Sequence, residues 1–219
     1  MSRRVFFDDE FFLFFRQLHR NNRWEWFLEN KPRYESRVKK PLVDFAEAFA
    51  PKLKKIAPRF LSDAKSVFRI YRDTRFSKDK TPYKTHGALH FRHERGDDVH
   101  APGFYLHLEP GSVFGGAGLW RPEPPVAVRV RKAIAKDPAA WRKAAKGLPL
   151  EGDRLSRPPR GFDPGHPAIE DLKRKDFITS RELDEDDAKR PAFLADYADL
   201  CREQAKLMAF LTRAVGLRW

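Results

Sequence analysis

At both ends of the chain apolar residues recur every three or four positions, and in the middle they recur every second position. The first spacing matches a helix with one buried face, the second a strand with one buried face. Phe11, Phe14, Phe15 and Leu18 predict a helix over 8–20, started by the carboxylate of Asp8 or Asp9. Asn22 followed by Glu25 reads as a capping box for a second helix, with Trp24, Phe27 and Leu28 on one side. Pro32 suits the first turn of the next, where Tyr34, Val38, Leu42, Phe45, Phe49, Leu53 and Ile56 form a long stripe. Pro41 lies inside that stripe and must kink or break it. Further on, Pro125 opens a helix carrying Val126, Val130, Ala133 and Ile134, and Asp137-Pro138 starts one carrying Trp141. Asp184 is placed to cap the last helix, whose stripe runs through Leu194, Tyr197, Leu200, Cys201, Gln204, Leu207, Met208 and Leu211 towards Gly216.

Residues 66–72, 85–92 and 103–109 alternate and are rich in strand formers. Pro110-Gly111 marks a turn, after which 112–119 returns as a fourth strand, and a short strand is predicted around Phe177–Thr179. The expected fold class is therefore α+β: a central antiparallel meander over about residues 66–120, packed on N- and C-terminal amphipathic helices. Residues 146–167, rich in Gly and Pro, read as an ordered loop. No linker-like stretch or repeat divides the chain, so residues 1–219 read as a single domain.

Alternation sorts the side chains of the first three strands into two sets. Phe68 and Ile70, then Gly87, Leu89 and Phe91, then Phe104, Leu106 and Leu108 are expected to face the helices. Arg69, Tyr71, Asp73 and Arg75, then His86, His90 and Arg92, then Tyr105, His107 and Glu109 face the other way. An antiparallel sheet often turns one face to water. Lys, Glu and Thr are the usual residues there; Arg, Tyr and His, planar and directional donors, suit a binding surface.

Charge sharpens that picture. Lys and Arg number 44 against 31 Asp and Glu, a formal net charge of +13, which fits anionic partners, although a solvated Arg-rich surface reaches the same balance. Between residues 65 and 84 stand seven Lys or Arg and two Asp. Arg69, Arg72 and Arg75 are the candidates to hold an anion, with Asp73 steadying a guanidinium and Tyr71 and Tyr83 orienting the ligand. Lys78, Lys80, Lys84 and His86 complete the ligand-binding candidates. The competing reading is a charged hairpin with local ion pairs of little energetic weight. His107 and Glu109, two residues apart on one strand, form a candidate catalytic acid–base pair. Joined by His86 and His90 they could also reach one cation, but alternation supplies no register, so no metal and no cofactor are assigned.

The leading expectation is a protein that binds an anionic, phosphate- or carboxylate-bearing small molecule on a basic sheet face, with turnover left open. Nucleic-acid binding is the alternative: charge and interleaved aromatics favour it, but no helix-turn-helix, zinc-finger or RNA-recognition signature does. A scaffold without a ligand is the third reading. No run approaches a membrane span of about 18 apolar residues, so no membrane partner is expected. The stretch Met1 to Phe7 runs into Asp8-Asp9-Glu10, too short and too acidic for a secretory leader, which makes the cytoplasm the expected compartment. The single cysteine, Cys201, excludes an internal disulfide and reads as a buried thiol. Gly115-Gly116-Ala117-Gly118 lacks dinucleotide-fingerprint spacing and reads as a tight turn or bulge, and there is no Walker loop or G-x-S-x-G elbow. His166 reads as packing at a helix start, and Arg157 to Arg160 and Lys173 to Lys175 as basic clusters able to rim the sheet face.

The run Arg69 to Lys84, with Asn21 to Phe27, Pro102 to Pro110, Gly116 to Trp120, Pro158 to Phe162 and Leu172 to Phe177, resembles a widespread uncharacterised bacterial family, a conserved domain of unknown function. The resemblance covers about residues 6–215, with one departure at Arg121, where the pattern has His or Met before Pro122. It implies one domain and carries no activity, cofactor or catalytic residue.

Overall fold

The structure, a computed structural model, describes residues 4–96 and 101–219. Helix α1 (Asp9–Arg20) starts as expected, with the Asp8 carboxylate accepting the Phe11 N–H at 3.0 Å. Helix α2 (Trp24–Tyr34) does not use the Asn22 capping box: Arg23 occupies the N-cap, without a side-chain bond. The Asn22 amide instead donates to the Tyr83 carbonyl at 2.8 Å and accepts the Tyr83 N–H at 3.0 Å. A side-chain amide carries the same donor–acceptor pair as a peptide, so it mimics a neighbouring strand. Asn22→Ala leaves both Tyr83 groups without that partner and should cost about 1–3 kcal/mol in urea unfolding. An unchanged midpoint would mean that water replaces the amide freely.

Pro32 lies within α2 rather than in a first turn, and α2 continues through a π turn (Glu35–Lys39) into α3 (Lys40–Ile56). Pro41 has no N–H for the Arg37 carbonyl and its ring crowds it; the wide turn accommodates both without breaking the stripe. Tyr34, Val38, Leu42, Phe45, Phe49 and Leu53 are all buried along it.

The strand expected over 66–72 is not a ladder strand. After a 3₁₀ turn (Ala64–Ser66) this segment touches its neighbours only at isolated bridges, Val67 to Leu89 and Tyr71 to Tyr83; Phe60 bridges His93 just before it. Without a continuous ladder the two-residue alternation is not enforced. Ile70 goes to the core and Val67 packs against it, whereas Phe68 turns to the opposite side of the sheet and stacks on His90.

The meander itself comprises β1 (Gly87–Arg92), β2 (Gly103–Glu109) and β3 (Ser112–Leu119), with Gly111 supplying the positive φ of the β2–β3 turn. Residues 97–100, between β1 and β2, lie outside the described residues. Helices α4 (Pro124–Lys136) and α5 (Pro138–Ala145) follow, the latter capped by the Asp137 carboxylate. Then come β4 (Leu150–Glu151), α6 (Ile169–Leu172), β5 (Phe177–Leu183), α7 (Glu185–Ala188) and α8 (Phe193–Ala214). Asp184 precedes α7, not the long α8. The sheet order is β1-β2-β3-β5-β4, antiparallel throughout, so the sheet extends two strands beyond the meander.

Gly115 to Gly118 form neither a turn nor a bulge but the middle of β3, paired on both sides. Their use is close approach. A Cβ at Gly115 would lie 2.3 Å from Leu200 of α8, and one at Gly118 would lie 2.1 Å from the Phe177 carbonyl oxygen. The inner sheet face packs on one cluster rich in phenylalanine, contributed by α1, α3 and α8, and a second around Trp141, Phe177 and Leu211. The α8 stripe named above is buried at every position, Cys201 included. No described helix is long and apolar enough to cross a membrane.

Candidate functional site

Register places the outward side chains in rows across the sheet. Tyr105 stands between His90 and Gly116, which in turn meets Ser180; His107 stands between Ala88 and Phe114, which meets Glu182; Gly103 faces Gly118. Glycine at alternate β3 positions leaves the middle of this face low, and Phe68, Tyr105, Phe114 and Trp120 rise around it. The result is a trough of about 630 Å³, completed by Ile178, Ser180 and the acids Glu151 and Glu182. The His90 ring lies over Gly103, where a Cβ would come 2.0 Å from its Nε2. At the β1 side, the Lys84 ammonium sits 5.1 Å from the centre of the Phe68 ring and donates to the Arg69 carbonyl at 3.0 Å. At the opposite side, the Ser180 hydroxyl donates to Glu151 at 2.8 Å. The charged residues that line the trough are thus the two carboxylates, and Lys84 meets it only through the Phe68 ring.

A hydrogen-bonded row follows β2 into the trough wall. Thr85 Oγ1 donates to Glu109 at 2.7 Å, Glu109 is 3.2 Å from His107 Nε2, and His107 Nδ1 is 3.0 Å from the Tyr105 hydroxyl. The His107 ring is stacked on Phe114 at 4.7 Å and the His86 ring lies 4.3 Å from it. Burial lowers the His107 pKa, partly offset by Glu109, and burial with the nearby His107 lowers His86 to about 4. Burial pushes the Glu109 carboxyl up, but the Thr85 and His107 hydrogen bonds and the imidazoles outweigh it and hold it below the usual range. Burial raises the Tyr105 phenol. At neutral pH the row is thus neutral imidazole, carboxylate and phenol. Nε2–H donates to Glu109, and Nδ1 accepts the Tyr105 hydrogen.

Alternation thus brings together His86, His90, Tyr105, His107 and Glu109 as expected. It does not bring the arginines. Arg75 forks onto the Asp73 carboxylate at 3.0 and 2.7 Å, with Asp73 held at a pKa of about 2 chiefly by that bond. Arg72 is bonded to Asp79 and Thr81, and Lys80 to the Thr74 carbonyl at 2.9 Å. Arg69 and Lys78 are exposed, and the charge of Arg69 acts on Asp73 and Lys84. Tyr83 is fully buried against Phe27, 4.1 Å away, and Tyr71 lies beside it, partly exposed. The segment is the charged hairpin of the competing reading, and among the described residues no arginine lines the trough. The Lys173 to Lys175 cluster is also structural: Arg174 is buried and paired with Asp171, and its carbonyl accepts from Arg131. His166 packs at its helix start, accepting the Ala168 N–H.

Thr85, Phe114, Ser180 and Glu182 were not singled out in the sequence, and Gly116 and Trp120 were noted there but not as site residues. Applying the alternation to 112–119 and 177–183 finds the β3 and β5 members; Thr85 carried no signal. A family model described as Conserved hypothetical protein (DUF2461) matches residues 10–210. No curated protein matches the chain.

Proposed function

We propose, for a chain that belongs to the DUF2461 family of conserved hypothetical proteins, that the trough on the open sheet face binds a small molecule with a planar ring body and an anionic substituent. The observation that carries this is the shape and lining of the trough: a glycine floor between aromatic walls, with one wall hydroxyl held by a built hydrogen-bond row. Flat apolar walls favour a ring, which stacks on Phe114 or Phe68 and covers the bare peptide of β3. The anionic substituent extends past Phe68 towards Lys84, the ammonium beside that ring, because Glu151 and Glu182 repel it from the rest of the lining. His107 and Glu109 reach such a ligand only through Tyr105, whose hydroxyl they orient.

The test is a thermal-shift and calorimetric screen of aromatic carboxylates and aromatic phosphate esters against their non-aromatic counterparts. The aromatic acids are expected to bind, and Ser180→Leu, which fills the floor without touching the core, should weaken them at least ~10-fold, or about 1.4 kcal/mol. Lys84→Ala should weaken binding and flatten its salt dependence. Failure of the whole aromatic series, or equal binding by Ser180→Leu, rejects the trough as the site.

A further inference from the structure

We infer that His86, His107 and Glu109 form a divalent-metal site of two imidazoles and one carboxylate, reached from the cleft beside α1. One ligand atom from each of the three residues lies within 4.8 Å of the others. Tetrahedral coordination with bonds of about 2.1 Å needs ligand atoms about 3.4 Å apart, a contraction of about 1.4 Å at most from the present spacing. Two strands fix the set: His107 and Glu109 share the outer face of β2, and His86 directly precedes β1, its ring against that of His107.

The surroundings are those of a metal centre rather than of a lone His–Glu pair. A ligating histidine generally has its second nitrogen held by a partner, and His107 Nδ1 is held by Tyr105. A ligating carboxylate is held in turn, and Glu109 accepts from Thr85. Thr85 and Glu109 also line a cleft of about 270 Å³ with Arg16, His19 and Arg20, which gives the site an entrance and places cationic groups beside an anion bound in the remaining position. Nitrogen-rich donors of this kind suit zinc and other first-row divalent ions and disfavour magnesium and calcium, which take oxygen.

Occupancy has a consequence at the trough, which rests on the ligand reading above while the metal site does not. A cation on His107 Nε2 displaces its proton to Nδ1, which then donates to the Tyr105 oxygen. The Tyr105 hydrogen is released to point into the trough. The same tyrosine changes from acceptor to donor towards a ligand.

Untagged full-length protein, stripped with chelator, should bind about one zinc ion per chain by calorimetry and by metal analysis after gel filtration, with a raised melting temperature. Magnesium and calcium should give no such binding. Glu109→Gln and His86→Ala should each lose the site, Tyr105→Phe should weaken it about 10–100-fold, and His166→Ala should leave it intact. Melting of the stripped variants shows whether each still folds. X-ray absorption at the zinc edge of the unmodified protein serves where one does not: two imidazole shells support the assignment. Absence of stoichiometric zinc binding, retention of it by both variants, or a zinc shell without imidazole overturns it. Aromatic-acid binding measured with and without zinc separates this outcome from failure of the trough.

Discussion

Gly118→Ala is expected to lower the stability of the protein by about 4 kcal/mol or more. Gly118 has φ of +138°, a region closed to residues with a Cβ, and the atom a Cβ would meet is a backbone oxygen of the paired strand at 2.1 Å. Flexible side chains can move aside, but the Phe177 carbonyl is part of the β3–β5 ladder, so the substitution must strain Gly118 or part the strands. Strain alone accounts for about 1–3 kcal/mol, and separating the ladder adds unpaired peptide groups. In a chain of this size, about 4 kcal/mol lowers the melting temperature by ~8–16 °C. Gly147→Ala is the control: its φ of +78° lies close to the left-handed region that residues with a Cβ enter at modest cost, and nothing lies within 4 Å of the added atom, so only a small strain remains. Equal melting of the two variants would show that β3 and β5 are not this close.

Phe45→Ala should cost about 3–5 kcal/mol, the usual range for emptying an aromatic site in a core. Its fully buried ring lies 5.2 Å from Phe7, 5.4 Å from Phe6, 5.8 Å from Phe193 and 5.9 Å from Tyr197. It therefore joins the N-terminal segment, α3 and α8 in one cluster. Four rings cannot all move into a hole of that size, because each is held by its own element. Phe76→Ala removes the same group from a position 96% exposed and should change almost nothing. Urea unfolding of both variants reads the difference; a Phe45 loss under about 1 kcal/mol would mean that the cluster collapses around the gap.

Much of the fold was legible where one face of an element meets the core along its whole length. The α8 stripe and the limits of β2 and β3 follow from periodicity, because burial enforces it at every step. The segment 66–72 carries the same alternating signal but makes only point contacts with β1, so its Phe68 escapes the pattern. The glycines of β3 were read by their local conformational habit, whereas α8 and β5 decide their use from far along the chain. At the site, alternation assigned His86, Tyr105, His107 and Glu109 to one face, but that His86 comes beside His107 is a matter of register. Arg72 and Arg75 are absent from the trough for a different reason: charge counts take no account of carboxylates two to seven residues away, and Asp79 and Asp73 engage their guanidiniums first.

The irregular segment before β1 has one more effect. Leu61 donates to the Arg92 carbonyl, Phe68 donates to the Ala88 carbonyl and Val67 bridges Leu89, so the outward backbone of β1 is met near both ends by an irregular stretch that forms no ladder strand itself. At the other margin the final strand, β4, is two residues long. An open sheet with a flat, unpaired border invites a second chain to zip onto it, and growth of that kind ends in fibres. Here the β1 border is already met by the molecule's own polypeptide, while at the other β4 covers only Ile178 and Thr179, and the short stretch 180–183 of β5 is what is left to grip. What spoils the alternation at 66–72 also denies neighbouring copies a template.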